Sequence, residues 1–118
     1  MNVGAIQDRL RNFTADRDWG QFHTPKNLAI AVAAEAGELI AEFQWLTDTQ
    51  QGQLGSDDAL RLRVEDEIAD VAIYLLRLAD VLNVDLEAAI HAKIDRNETR
   101  YPASESFGSA EKYNRLGT

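Results

Sequence analysis

No cysteine occurs in the 118-residue chain, which excludes a disulfide frame and any thiolate-held metal. Basic residues are also scarce: 12 lysines and arginines against 20 acidic residues leave a formal net charge of -8. That is the wrong sign for a scaffold gripping a nucleic-acid polymer, so no such partner is expected. Long apolar runs are missing, and no uninterrupted stretch approaches the roughly 20 residues of a membrane span. The opening residues, Met1-Asn-Val-Gly-Ala-Ile-Gln-Asp, lack the basic and then apolar pattern of a secretory signal. A cytoplasmic protein with no membrane partner is the resulting expectation. What is present is a 45% hydrophobic content, enough for one core at this length but not for a second.

The apolar residues recur with helical spacing, and the fold class expected is all-α. Val3, Ile6, Leu10 and Phe13 mark a first helix over about residues 3–16. Thr24 as N-cap and Pro25 at the first helical position start a second, running to about Leu46. Residues 47–56 are polar, with Gly52 and Gly55, and read as a loop. Ser56 or Asp57 caps a third helix to about Leu82, with Val64, Ile68, Val71, Leu75, Leu78 and Leu82 in one stripe widened by Ala72, Ile73 and Leu76. One chain does not supply enough surface to cover so wide a stripe, so a homo-oligomer of packed helices is expected. Asp85 caps a fourth helix through about Arg100, stopped by Pro102, and residues 103–118 form a partly ordered tail.

Within two of these helices lie acids in unusual surroundings. Glu35-x-x-Glu38 is embedded in Ala-Ile-Ala-Val-Ala-Ala and Leu-Ile-Ala, and Glu67-x-x-Asp70 in a run containing Ile68, Val71, Ile73 and Tyr74. Residues three apart share a helix face, so each pair presents two carboxylates together. A single pair of this kind is ordinarily a solvated face. Two pairs on packed helices would converge four like charges, each raising the pKa of the others, and a divalent cation resolves that conflict. Oxygen-only ligands favour Mg2+ or Mn2+, and Mg2+ leaves positions for water and substrate phosphates, which points to a nucleotide. Gly37, with Ala33, Ala34, Ala36 and Ala41 around it, would let another backbone approach and bring the opposing acids together. Plain tight packing is the alternative.

On the fourth helix Lys93, Asn97 and Arg100 fall on one stripe, suited to phosphates and a sugar or base, or forming an ordinary basic surface. Trp19 and Trp45 flank the second helix and His23 precedes it. Aromatic faces stack nucleobases for roughly 1–3 kcal/mol each, although tryptophan is more often core.

The run Glu35-Ala-Gly-Glu38-Leu-Ile-Ala-Glu-Phe-Gln-Trp45, followed by Glu67-Ile-Ala-Asp70-Val-Ala-Ile-Tyr74-Leu, resembles the MazG-like nucleotide pyrophosphohydrolases, most closely their dCTP pyrophosphatase branch. Arg17-Asp-Trp19-x-Gln-Phe-His23-x-Pro-x-Asn27-Leu and Lys93-x-Asp95-x-Asn97-x-x-Arg100-Tyr101-Pro102 extend the match over about residues 10–102. The resemblance implies a four-helix MazG-like bundle over residues 1–102 that assembles as a tetramer or dimer. It further implies Mg2+-dependent cleavage of a nucleoside triphosphate, dCTP or a modified dCTP, to monophosphate and pyrophosphate. By the same likeness Glu35, Glu38, Glu67 and Asp70 would be metal ligands and catalytic residues, with Glu38 favoured to orient or deprotonate the attacking water. Lys93, Asn97 and Arg100 would meet phosphates and sugar. Trp19, His23, Trp45 and Tyr74 would line the base pocket, some of them across a subunit boundary. Leu10 stands where the animal dCTP enzymes carry a histidine, which loosens the expected base selectivity, and Ala34 precedes Glu35 where many MazG relatives have a second glutamate.

Three alternatives stand beside this reading. A broad-specificity housekeeping pyrophosphohydrolase would use the same acids on other pyrimidine triphosphates. A carboxylate-bridged di-iron bundle needs E-x-x-H pairs, which His23 and His91 do not form with these acids. A non-catalytic helical interaction protein would carry the acids as plain surface and gain no stability from a divalent ion.

Overall fold

A computed structural model describes residues 1–56 and 58–111, with Asp58 through its backbone only. Among the described residues every regular element is helical: α1 (Val3–Asp16), a 3-10 turn (Gly20–Phe22), α2 (Pro25–Phe43), α3 (Asp48–Gly52), α4 (Asp58–Val81), α5 (Leu86–Arg100) and α6 (Ala103–Ser106). The expected all-α class is thus the observed one. The chain falls into two compact units, Met1–Val84 and Asp85–Thr118.

Local chemistry accounts for most of the helix starts. Side chains of Asn2, Thr24 and Asp85 accept from the backbone N–H groups of Ala5, Asn27 and Ala88 respectively, each three residues ahead. These bonds satisfy amides that a helix start otherwise leaves unpaired. The segment expected as a loop before the third long helix contains α3 instead. Thr47 accepts from the Gln50 amide while the Gln50 side chain accepts from the Thr47 amide, a reciprocal capping box that stabilises one turn despite the glycines. Ser56, one of two expected caps for the next helix, donates its hydroxyl to Gln53 O. Asp57, the other, lies outside the described residues. The expected tail holds a single turn, α6, and its residues 112–118 also lie outside the described ones.

Helices α1 and α4 end by the same device. Asp18 (φ 52°) and Asn83 (φ 56°) adopt the left-handed conformation, and the next amides, Trp19 and Val84, bond back to Thr14 O and Ala79 O at 3.0 and 2.8 Å. This pattern is the Schellman motif, and aspartate and asparagine tolerate its left-handed residue better than most side chains do. At α1 it turns the chain so that Trp19 meets Phe13 edge to face, with ring centroids 5.7 Å apart.

The first unit is organised on α4, against which α2 packs most extensively and α1 less so. Leu28 of α2 and Leu60, Val64, Leu76 and Ala79 of α4 are buried, Leu28 to 1% exposure. Arg11 of α1 grips Asp80 of α4 through Nε at 2.7 Å and Nη2 at 3.2 Å, and Gln7 donates to Leu76 O. The expected stripe of α4 is covered only in part, since Ile68, Leu75 and Leu82 are exposed. The apolar residues of α4 occupy more than one face and the chain covers one of them. On α2, Ile30, Ala33, Ala34, Gly37 and Ile40 likewise share an exposed face. A Cβ on Gly37 would meet nothing within 4 Å, so this glycine does not serve the α2–α4 approach expected of it.

Leu28→Ala should lower stability by about 2–5 kcal/mol, the cost of a cavity at a well-packed leucine. Urea denaturation measures it, and a loss below about 1 kcal/mol would show that the α2–α4 contact is not the centre of the unit.

Candidate functional site

Glu35 and Glu38 sit on one face of α2, and Glu67 sits on the face of α4 that packs toward it. One carboxylate oxygen from each of the three lies within 4.8 Å of the others. The convergence expected from the two spaced pairs is therefore present for three acids. Asp70 is not part of this tightest group, but its charge acts on both Glu35 and Glu67. The pKa of Glu35 is raised by loss of solvent and then by the charges of Glu38 and Asp70, and that of Glu67 by the same causes in the same order.

Two carboxylate oxygens, Oε2 of Glu35 and Oε2 of Glu67, are buried without a hydrogen-bond partner. A buried carboxylate oxygen left unpaired is costly, and proteins normally satisfy it with a donor or a cation. The converging donors are all carboxylate oxygens, a set that fits a hard divalent ion. Glu42, one turn beyond Glu38, was not singled out from the sequence. It pairs with Arg63 at 3.1 Å and adds a weaker push to the Glu67 pKa. Its spacing of seven from Glu35 was the available signal.

A second feature of the same unit is a cavity of about 410 Å3. Ile6, Arg9, Leu10, Phe13 and Thr14 of α1 line it, with Trp19 and His23 from the connection to α2 and Ile73, Tyr74 and Arg77 from α4. Three of the four residues expected at a base pocket, Trp19, His23 and Tyr74, are thus brought together. Tyr74 lies one helical turn from Asp70, on the same face of α4. Trp45 does not line the cavity; it follows the end of α2 and is 84% exposed. Ile6, Leu10 and Phe13, three of the four residues whose spacing marks the first helix, form one wall of the cavity.

Arg77 is buried, which its position in Leu75-Leu-Arg77-Leu78 could have signalled. Its Nη1 lies 3.4 Å from Asp80 and its Nε donates to Nδ1 of His23 at 3.3 Å. Burial, and secondarily the Arg77 charge, lower the pKa of His23. Lys93, Asn97 and Arg100 are exposed on α5, in the second unit.

Residues 30–116 match the MazG-like family. The chain is 46% identical over 104 residues to a Mus musculus protein named dCTP pyrophosphatase 1, and 45% identical over 104 residues to the Homo sapiens protein of the same name. Each alignment covers 88% of this chain and 61% of the relative, so the chain spans about three fifths of their length. Among solved structures it is similar to a pyrophosphatase from Archaeoglobus fulgidus DSM 4304, with a TM-score of 0.78, 39% identity, and coverage of 86% of this chain and 94% of that one.

The raised acids give the site a pH signature. A carboxyl whose folded pKa exceeds its unfolded value binds more protons when folded, so stability falls as pH climbs from the ordinary carboxylate value through the raised one. With divalent ions removed, Tm should rise on acidification from about pH 7 toward about pH 5 through the Glu35 and Glu67 contribution. The double variant Glu35→Gln, Glu67→Gln should flatten that slope in differential scanning fluorimetry; an unchanged slope would mean that the fold does not raise the pKa of these two acids.

Proposed function

The chain belongs to the MazG-like family, and we propose that it hydrolyses a nucleoside triphosphate, dCTP or a modified dCTP, to monophosphate and pyrophosphate with Mg2+ as cofactor and Mn2+ as its substitute. The observation that carries this reading is the trio of converging carboxylates with two buried, unpartnered oxygens. Glu35, Glu67 and Asp70 would hold the ion, with Glu38 as a fourth ligand or, instead, as the acid that handles the attacking water. When bound, the ion would neutralise charge on phosphate oxygens and lower the pKa of water nearby.

The chain's own residues divide the remaining work. Glu38 is the solvent-facing member of the trio and would orient the attacking water and take its proton. Attack at the α phosphorus breaks its bond to the oxygen bridging to the β phosphorus, and pyrophosphate leaves. Trp19 and Tyr74 would hold the base in the cavity, with His23 at its edge. Lys93, Asn97 and Arg100 would meet phosphates and sugar. Trp45, which the cavity of its own chain does not use, would serve the cavity of a second copy. That copy would cover the exposed α2 face that includes Ile30, Gly37 and Ile40, building a dimer or tetramer. The names of the Mus musculus, Homo sapiens and Archaeoglobus fulgidus proteins support the reaction and, for the first two, the base.

A second reading, hydrolysis of several pyrimidine triphosphates in nucleotide sanitation, is favoured by Leu10. Leu10, with Ile6, Phe13 and Ile73, adds apolar lining to the cavity, and these side chains offer no polar group to tell bases apart.

Glu38→Gln should lower turnover of dCTP with Mg2+ at least about 100-fold, the usual scale for losing a general base, while the helical circular dichroism stays as in the wild type. Activity within a few fold of wild type would remove Glu38 from the mechanism. Gly37→Leu should shift the protein toward monomer in sedimentation velocity, because the small-residue face would no longer admit a second helix; an unchanged sedimentation coefficient would place the interface elsewhere.

A further inference from the structure

Arg77 is a buried cation in an otherwise apolar part of α4, and the acidic cluster does not use it. Asp80, which Arg11 also grips, compensates its charge. That leaves Nε directed at Nδ1 of His23, 3.3 Å away. A guanidinium has donors only and stays protonated, so the imidazole nitrogen facing it must accept. A neutral imidazole that accepts at Nδ1 carries its proton on Nε2. Among the described residues Nε2 has no hydrogen-bond partner, while the ring lines the cavity.

We propose that Arg77 is a positioning residue for the cavity, fixing His23 as the Nε2–H tautomer so that this part of the wall presents a hydrogen-bond donor to a bound heterocyclic ring. The inference rests on the reading of the cavity as the base site and adds to it the polarity of one contact. A ring carbonyl or unprotonated ring nitrogen is accepted at this position, whereas a ring N–H would leave two donors opposed. Protonation of Nδ1 would place a second cation against Arg77, and burial further opposes it, in line with the lowered pKa of His23. The part-buried ion pair with Asp80 has a clear structural role, so the positioning role needs a readout that packing alone does not move.

That readout is the imidazole 15N spectrum of the intact protein. His23 and His91 are the two histidines of the chain, and His91→Gln assigns their signals. In the wild type His23 should give a single tautomer, with Nδ1 bare and Nε2 protonated. In Arg77→Met the two tautomers should mix, and KM for the triphosphate should rise about 10-fold, the scale of one lost hydrogen bond, with kcat within about threefold. A wild-type His23 protonated on Nδ1 overturns the proposal whatever the cavity binds, and needs no variant to fold. An Arg77→Met protein that keeps the wild-type tautomer overturns it equally. A mixed tautomer with unchanged KM overturns the recognition role by showing that the ring binds elsewhere, and wild-type turnover then tells separately whether the proposed reaction stands.

Discussion

Repulsion among carboxylates is the constraint around which the first unit is arranged. Three acids from α2 and α4 bring oxygens within 4.8 Å, with Asp70 adding its charge, and Glu35 and Glu67 each have one carboxylate oxygen buried without a donor. The α2–α4 packing that buries Leu28, Leu60 and Val64 also forces this approach. Hydrophobic burial therefore offsets an electrostatic cost that a chain selected for stability alone would remove. Burial and the neighbouring charges raise the pKa of Glu35 and Glu67, so protonation at lower pH would relieve part of that cost. A cation would relieve it while keeping the oxygens charged, and the proposed chemistry requires that state.

Helix α4 connects this cluster to the cavity. It carries Glu67 and Asp70, then Tyr74 and Arg77 at successive turns, and Asp80, which holds both Arg77 and Arg11. The ion pair from Arg11 ties α1 to α4, and the Schellman turn after α1 returns Trp19 against Phe13. One rigid helix thus sets the register of the acidic wall and of one side of the cavity. In the proposed reading α4 would set aromatic surface beside the ring and carboxylates around the cation that the phosphates need.

Much of this was legible in the chain, for identifiable reasons. Thr24 and Asp85 announced their helices because a side-chain acceptor three residues before a free amide is a local device. The acid pairs announced their convergence because spacing fixes which side chains share a face. The departures come from what spacing leaves open. Ile6, Leu10 and Phe13 share a face as expected, but periodicity does not tell whether the space opposite is filled, and here it is a cavity. Gly37 reads as a place where another backbone approaches, and within this chain a Cβ there would meet nothing within 4 Å. The helix α3 was concealed by Gly52 and Gly55, although Thr47 and Gln50 already carried the reciprocal cap. The role of Arg77 is not legible in the sequence because His23, 54 residues away, meets it only through packing, although Asp80 lies three residues on along α4.

The central claim is that the carboxylate cluster supports metal-dependent cleavage between the α and β phosphates. The direct measurement is product analysis by ion-exchange chromatography after incubating the wild-type protein with dCTP in 18O-labelled water, with Mg2+ and with a chelator. The account predicts dCMP and pyrophosphate in equal amounts, the label in dCMP, and no turnover under chelation. Orthophosphate with dCDP, label in the pyrophosphate, or turnover indifferent to the chelator would contradict it.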